Sequence, residues 1–188
     1  MTGAVAHVGS TADDAGVAFE PVDPRIERAW QALADVLDPE VPVLSVCDLG
    51  IVRDVRVAAD GLEVVLTPTY SGCPATEVIE AGVRSALEGI GLGPVTVRLQ
   101  RAPAWTTDWI SAEGRRKLRD YGIAPPGPAD PDRGVALRFM PRRAAVRLRC
   151  PRCNSENTER IAAFGSTACK ALHRCLACGE PFEHFKPI

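Results

Sequence analysis

The stretch CPRCNSENTERIAAFGSTACKALHRCLAC, residues 150–178, decides the fold of the C-terminal part of this chain. It contains two Cys-x2-Cys pairs, formed by Cys150, Cys153, Cys175 and Cys178. Each pair puts two thiolates on one short turn, and two such turns supply the four ligands of a tetrahedral metal site. We therefore predict a four-cysteine zinc ribbon over residues 142–188. Structural zinc is the favoured metal, and iron bound by the same four thiolates is the alternative.

The residues after each pair suit tight metal-binding turns. Asn154 follows the first pair and Gly179 the second. Both residue types tolerate the left-handed backbone conformation that such turns use. Cys169 lies between the pairs as an extra thiol that a four-ligand site does not need.

The length and composition of the chain set the broad class of protein. With 188 residues, 46% of them hydrophobic, it can build one sizeable core and a small satellite domain. Residues 1–7 lack the basic and apolar regions of a signal peptide, and no apolar run reaches membrane-spanning length. Seven cysteines then indicate metal binding or free thiols rather than disulfides. We expect a soluble, cytoplasmic protein that does not contact membranes.

Upstream of the ribbon we predict three segments. Residues 1–21 have the composition of a disordered tail. Residues 22–123 form a small α+β domain, and residues 124–141 are a linker rich in proline and glycine.

The α+β domain is predicted to have the order helix, strand, strand, helix, strand, helix. Asp23 and Pro24 begin the first helix, and Ser111 caps the last. The strands show alternating or β-rich patterns at 51–58, 62–67 and 94–100, and the second helix ends at Gly89. The first two strands are predicted to form a hairpin around the turn Asp60-Gly61. Two apolar stripes are predicted to face the core: Ile26, Trp30, Leu33 and Leu37 in the first helix, and Val78, Ile79, Val83 and Leu87 in the second.

Cys73 is predicted to lie at the N-terminus of the second helix, with Pro74 as the first helical residue. The positive end of the helix dipole and its free N–H groups would stabilise a thiolate there and lower its pKa. Such a thiolate can bind metal, attack an electrophile or hold an iron–sulfur cluster, whereas a small buried hydrophobe is the structural alternative. Asp38, Glu40 and Asp48 are nearby candidate acids, although each alone is typical of a cap or a solvated loop.

Several classes of enzyme are excluded by missing patterns. The chain has no G-x-S-x-G, phosphate-binding or dinucleotide-binding motif. Residues 22–123 contain no histidine, so histidine base catalysis is not expected. The Glu-x-x-His pairs of a helical di-iron oxygenase site are also missing.

Two sets of motifs resemble known families. Residues 38–44, 48–52 and 67–74 resemble a small domain of iron–sulfur assembly and targeting factors such as SufT. The motifs PAWTTDW, FGSTACKAL and EPF, at residues 103–109, 164–172 and 180–182, resemble the PaaD (PaaJ) family. The similarity runs from about residue 23 to the C-terminus.

The PaaD resemblance implies an accessory or maturation subunit of the ring-1,2-phenylacetyl-CoA epoxidase in aerobic phenylacetate catabolism. It implies that other subunits carry the di-iron centre and an iron–sulfur reductase, and that these subunits are the partners. The implied role is assistance with insertion of iron or an iron–sulfur cluster, bound transiently. By this resemblance the candidate ligands are Cys73, Asp48 and Glu40.

Two other functions stay open at this point. In one, the protein is a thiol-dependent redox enzyme that uses Cys73 as its reactive group. In the other, it is a zinc-ribbon protein that binds nucleic acid through residues 115–117 and 142–143. Nucleic-acid binding is not expected, because aromatic residues are few and the body is acidic.

Overall fold

The computed structural model describes residues 23–70, 72, 74–128 and 148–188. The predicted tail, Cys73, residues 129–141 of the predicted linker and residues 142–147 of the predicted ribbon lie outside the described residues. Among the described residues, no helix is long and apolar enough to cross a lipid bilayer.

The described residues form three α-helices near the predicted positions: α1 (Pro24–Leu33), α2 (Thr76–Gly89) and α3 (Ala112–Asp120). Helix α2 begins at Thr76 with Ala75 as its N-cap, so the prediction of Pro74 as its first residue was wrong. The Asp23 carboxylate accepts a hydrogen bond from the N–H of Arg25 at the start of α1. The Ser111 hydroxyl accepts one from the N–H of Gly114 in α3. Each cap satisfies a backbone donor that the first helical turn leaves without a partner.

The first sheet has the order β1-β2-β3, with β1 (Val52–Ala58), β2 (Gly61–Leu66) and β3 (Val95–Leu99). Strands β1 and β2 form the predicted antiparallel hairpin, and α2 provides the crossover to the parallel strand β3. Gly61 has a φ of +147°, and any side chain there would collide with the carbonyl of Pro94. The hairpin turn and the start of β3 therefore meet at a residue that has to be glycine.

The second sheet is the zinc-ribbon sheet, with the order β4-β7-β6-β5. Its strands are β4 (Ile123–Ala124), β5 (Thr158–Ala162), β6 (Lys170–Cys175) and β7 (Pro181–Phe185). Strand β4 follows α3 directly and pairs in parallel with β7. The last residues of the α+β domain therefore add a strand to the ribbon. Together with the helices and the first sheet, this confirms the predicted α+β class with a small ribbon.

The main core lies between the first sheet and the helices and continues into the ribbon, where it includes Cys169 and Phe185. The rings of Trp105 and Phe185 have centroids 6.2 Å apart. The carbonyl of Ile188, the last residue, accepts a hydrogen bond from the N–H of Thr107. The ribbon thus packs closely against the α+β domain, which we call the body (residues 23–122).

Three residues of the predicted apolar stripes are in fact exposed. Trp30 is 36% exposed, Leu37 54% and Val78 58%. Helix α1 ends at Leu33, four residues before Leu37, because the N–H groups of Asp35 and Val36 bond three residues back and tighten the last turn. Helical periodicity therefore does not continue to Leu37, and that prediction was wrong.

Candidate functional site

The four ribbon cysteines converge on one point. All four sulfur atoms lie within 4.8 Å of one another. The Sγ atoms of Cys150 and Cys178 are 3.8 Å apart, and those of Cys153 and Cys175 are 3.5 Å apart. Metal–sulfur bonds of about 2.3 Å in a tetrahedron give sulfur–sulfur edges of about 3.8 Å. The donor set therefore fits a tetrahedral metal ion.

The two turns have the left-handed geometry that the sequence predicts. Asn154 has a φ of 61° and Gly179 a φ of 79°. Each donates its N–H to the carbonyl of the first cysteine of its pair, at 2.9 Å. The backbone N–H groups of Cys178 and then Ala177 lower the pKa of Cys175 to about 7, so the second turn favours the thiolate that a metal requires.

This metal site is closed by its own ligands. Cys150 and Cys175 are buried beside Ala124 and Phe182, whereas Cys153 and Cys178 face the surface. Four protein ligands fill a tetrahedral coordination sphere and leave no position for a substrate. The arrangement is that of a structural metal centre.

A second group of candidate residues lies on the body, in the loop that follows α1. The Asp38 carboxylate accepts hydrogen bonds from the N–H groups of Glu40 at 2.9 Å and Val41 at 2.8 Å. It is only 6% exposed, and this burial raises its pKa. These bonds hold the loop in one conformation and turn the Glu40 side chain toward the ribbon.

Asp48 is held by several hydrogen bonds within the body. Its carboxylate accepts them from the N–H and hydroxyl of Ser45, the ammonium of Lys117 at 2.7 Å and the hydroxyl of Ser111 at 3.2 Å. Burial alone would raise the pKa of Asp48, but the bonds from Lys117 and Ser45 outweigh it and keep that pKa below its ordinary value. Through these bonds Asp48 joins its own loop to Ser111 and Lys117 of α3 and its cap.

The structure brings Glu40 and Cys169 together, a contact that no sequence pattern predicts. The Cys169 thiol points at Glu40 Oε2 across 3.9 Å, and the Thr167 hydroxyl lies 3.0 Å from the same sulfur. Cys169 is 5% exposed, and its burial raises the pKa of the thiol. Spacing could not reveal this contact, because the two residues meet only when the ribbon packs on the body.

A small cavity lies under the turn that precedes α2. Its volume is about 10 Å³, room for one water molecule, and it is lined by Asp38, Ile51, Leu66, Pro68, Thr69, Thr76, Ile79 and Leu99. Gly72 has a φ of +88°, and the cap residue Ala75 offers no side-chain acceptor to the first N–H groups of α2. Cys73 follows Gly72 in the sequence and lies outside the described residues, so its role stays a prediction.

Two family models match the chain, one for each part of the molecule. The model for the PaaD zinc beta ribbon domain matches residues 138–186, and the model for the iron–sulfur cluster assembly protein domain matches residues 26–98. A relative from Escherichia coli (strain K12), named for a component of 1,2-phenylacetyl-CoA epoxidase, is 47% identical over 165 residues. That similarity covers 88% of this chain and 94% of the relative. The chain belongs to the PaaD family.

The body alone has further relatives. It is 40% identical over 94 residues to an Fe-S protein maturation auxiliary factor of Porphyromonas gingivalis (strain ATCC BAA-308 / W83), which covers 49% of this chain and 89% of that factor. A crystal structure of a domain of unknown function (DUF59) from Bacillus anthracis is 23% identical, with a TM-score of 0.48. It covers 50% of this chain and 92% of that domain.

Proposed function

We propose that this PaaD-family chain is a cytoplasmic accessory and maturation subunit of a phenylacetyl-CoA epoxidase, and that it assists insertion of iron or an iron–sulfur cluster. The observation that carries the proposal is the 47% identity to the Escherichia coli epoxidase component over nearly the whole of both chains. The 40% identity of the body to an Fe-S protein maturation auxiliary factor supports a role in maturation for the body.

The two metal-related parts of the molecule would then have different tasks. The ribbon cysteines hold zinc as a structural ion, because four thiolates with tetrahedral spacing suit zinc and leave no open position. The body holds iron, or an iron–sulfur cluster, only in transit. Oxygen chemistry and electron supply belong to the partner subunits, among them the iron–sulfur reductase that we propose as one client.

Cys73 is the proposed transient ligand, with Glu40 as a carboxylate on a neighbouring loop. Helix α2 supports this assignment, because no described side chain caps its first N–H groups. An uncapped helix N-terminus attracts an anion such as a thiolate. Asp48, bonded to Lys117 and Ser45, would position its loop rather than bind iron.

A single substitution tests the proposed role in cells. Cys73→Ala is expected to abolish phenylacetyl-CoA epoxidation and to lower iron in the co-expressed epoxidase subunits, while the variant chain keeps its zinc and its unfolding midpoint. Cys47→Ala, which removes another body thiol, serves as the matched control. Normal epoxidation and normal iron content in the Cys73→Ala strain would refute the proposal.

Labelling with iodoacetamide separates this proposal from a thiol enzyme. A redox or nucleophilic Cys73 would react with a low apparent pKa whether or not metal is present. A metal ligand would instead be protected from labelling by added ferrous iron under anaerobic conditions. Protection by iron is the result that we expect.

A further inference from the structure

The loop that joins β5 to β6, residues 163–169, presents an exposed aromatic side chain, and we call this loop the ribbon tip. Phe164, near its start, is 66% exposed, more than any other large hydrophobic side chain among the described residues. Cys169, at its end, is buried and faces Glu40 of the body. The ribbon tip therefore has one side against the body and another side toward solvent.

Buried charges hold the ribbon tip in one conformation. Lys170 is 4% exposed, and its ammonium lies 2.9 Å from the Glu183 carboxylate. The same carboxylate accepts a hydrogen bond from the N–H of Ser166. The N–H of Gly165 donates to the carbonyl of Lys170 at 2.8 Å, and a side chain at Gly165 would collide with Glu183 Oε1. A buried ion pair adds little net stability compared with apolar packing, but it fixes the groups that are bonded to it.

The Phe164 ring is itself held by a cation. The Lys186 ammonium lies 4.4 Å from the centre of the ring and also donates to the carbonyl of Ala163 at 3.3 Å. A single exposed phenylalanine needs no explanation on its own. On a braced loop, however, the side chain loses little conformational freedom when a partner covers it, and aromatic anchors of this kind dominate the binding energy of protein interfaces.

The unpaired charges that the ribbon contributes here are positive. The carboxylates of β5 and β7 are each paired with a cation of β6. Arg160, four residues before Phe164, and Lys186 form no ion pair within the part of the chain that the structure describes. A partner surface that carries carboxylates would complement these two cations.

We propose that the ribbon tip is the docking point for a client subunit of the epoxidase, with Phe164 as the anchor and Lys186 as the charged contact beside it. The matching surface of the client is an apolar pocket with carboxylates at its rim. That the partner is an epoxidase subunit rests on the proposed function, whereas the anchor rests on the exposure and bracing of the ribbon tip. Docking there places the client next to the Glu40 loop, since Cys169 of the same tip faces Glu40.

One aromatic ring with two cations suits a protein partner better than a lipid surface or a nucleic acid. Stable membrane binding needs a larger apolar face or a polybasic cluster. Single-stranded nucleic acids are bound by several stacking rings along a basic groove. A protein pocket needs only a few well-placed anchors.

Binding measurements with the full-length, zinc-loaded protein test the docking point. The probes are the purified epoxidase subunits and their reductase, each titrated against the immobilised chain. Phe164→Ala should weaken the binding of one of them about tenfold or more, and Lys186→Glu should weaken the same interaction. Wild-type binding should also weaken as the sodium chloride concentration rises. Tyr121→Ala, at an aromatic side chain that is 58% exposed elsewhere on the molecule, is the matched control.

The outcomes separate this inference from the proposed function. Weaker binding in Phe164→Ala, with Tyr121→Ala and Cys73→Ala unchanged, supports the docking point even if Cys73→Ala has normal iron delivery. Unchanged binding in Phe164→Ala, an equal loss in Tyr121→Ala, or a wild-type chain that binds none of the subunits overturns it. If Phe164→Ala binds normally while Cys73→Ala loses iron, the docking point is wrong and the role proposed for Cys73 stands.

Two further measurements exclude other occupants of the ribbon tip. Sedimentation of the chain alone should show no dimer that depends on Phe164. Vesicles that contain anionic phosphatidylglycerol should bind wild type and Phe164→Ala alike. A Phe164-dependent dimer, or Phe164-dependent binding to the vesicles, would overturn the assignment to a client subunit.

Discussion

The body and the ribbon are held together by different physical means. The body buries a continuous apolar core that includes Leu33, Leu44, Val64 and Leu87, all without solvent exposure. In the part of the ribbon that the structure describes, its own buried cluster has four residues, Ala124, Cys150, Cys175 and Phe182, and two of them are the predicted metal ligands Cys150 and Cys175. A cluster of this size cannot offset the loss of chain entropy. The body can therefore fold on its apolar contacts, whereas the end of the ribbon with the cysteines needs its metal.

The opposite end of the ribbon belongs with the body. Cys169 and Phe185 are part of the main core, and β4 carries the body into the ribbon sheet. The ribbon is thus stabilised by metal at one end and by apolar packing at the other. Substitutions at the two ends should have different consequences.

The largest effect is expected at the metal end. Cys175→Ala removes one of four ligands, and metal binding in modules of this type contributes about 10–16 kcal/mol to folding. Bound zinc should fall from one ion per chain to none, and the two cysteine turns, residues 148–157 and 175–180, should become sensitive to limited proteolysis while the body stays resistant. Cys47→Ala should keep its zinc. If the ribbon of Cys175→Ala resisted protease without bound metal, the cysteine end would not need metal to fold, and the proposed contrast with the body would be wrong.

A smaller effect is expected at the packing end. Phe185 is 2% exposed and contacts Trp105, so Phe185→Ala should lower the free energy of unfolding by about 3–5 kcal/mol. The zinc should be retained, because the four ligands are unchanged. Urea denaturation and metal analysis measure both quantities. Phe164, which is 66% exposed, is the control, and Phe164→Ala should cost less than about 1 kcal/mol. Zinc loss in Phe185→Ala would show that the two ends are not independent.

The smallest effect is expected within the body, at the ion pair of Lys117 and Asp48. Lys117→Met should cost about 1–3 kcal/mol at pH 7, less than a fully buried pair, because the Lys117 side chain is 35% exposed. The bond from Lys117 lowers the pKa of Asp48. The stabilisation is therefore complete above the ordinary pKa of 3.8 and is lost as the pH falls through the lower folded value.

Urea denaturation of both proteins at pH 7 and near pH 3 measures this dependence. The free energy of unfolding of wild type should exceed that of Lys117→Met by less at pH 3 than at pH 7, because a protonated Asp48 no longer pairs with the ammonium. Zinc loss from the cysteines at acid pH affects both proteins alike and cancels in the difference. If this difference in unfolding free energy grew at low pH, the stabilising role of the Lys117–Asp48 ion pair would be contradicted. Arg116→Met, at an exposed ion pair on the same helix, should change stability little at either pH.

Local patterns in the sequence predict local structure well here. The caps at Asp23 and Ser111, the β1–β2 hairpin turn at Asp60 and Gly61 and the left-handed turns at Asn154 and Gly179 all depend on neighbours within a few residues. The four-cysteine site is also predictable, because two local turns supply every ligand. The prediction for Leu37 was wrong because its burial depends on where α1 ends. The position of that end is set by contacts of the loop that follows α1.

The contact between Glu40 and Cys169 could not be predicted from the sequence. The two residues are 129 positions apart and meet because Phe185 and Ile188 dock the ribbon on the body. The bonds of Asp48 to Lys117 likewise depend on how α3 packs against its loop. Motif similarity marked Glu40 and Asp48 as candidate site residues but could not reveal that Asp48 is already bonded to Lys117 and Ser45.

The most direct measurement is the content of iron, sulfide and zinc per chain after anaerobic purification with co-expressed epoxidase subunits, for wild type and Cys73→Ala. We predict one zinc per chain in both proteins, and iron in the wild type that is lost in Cys73→Ala. Equal iron in the two proteins, or iron only in place of zinc at the four cysteines, would contradict the account.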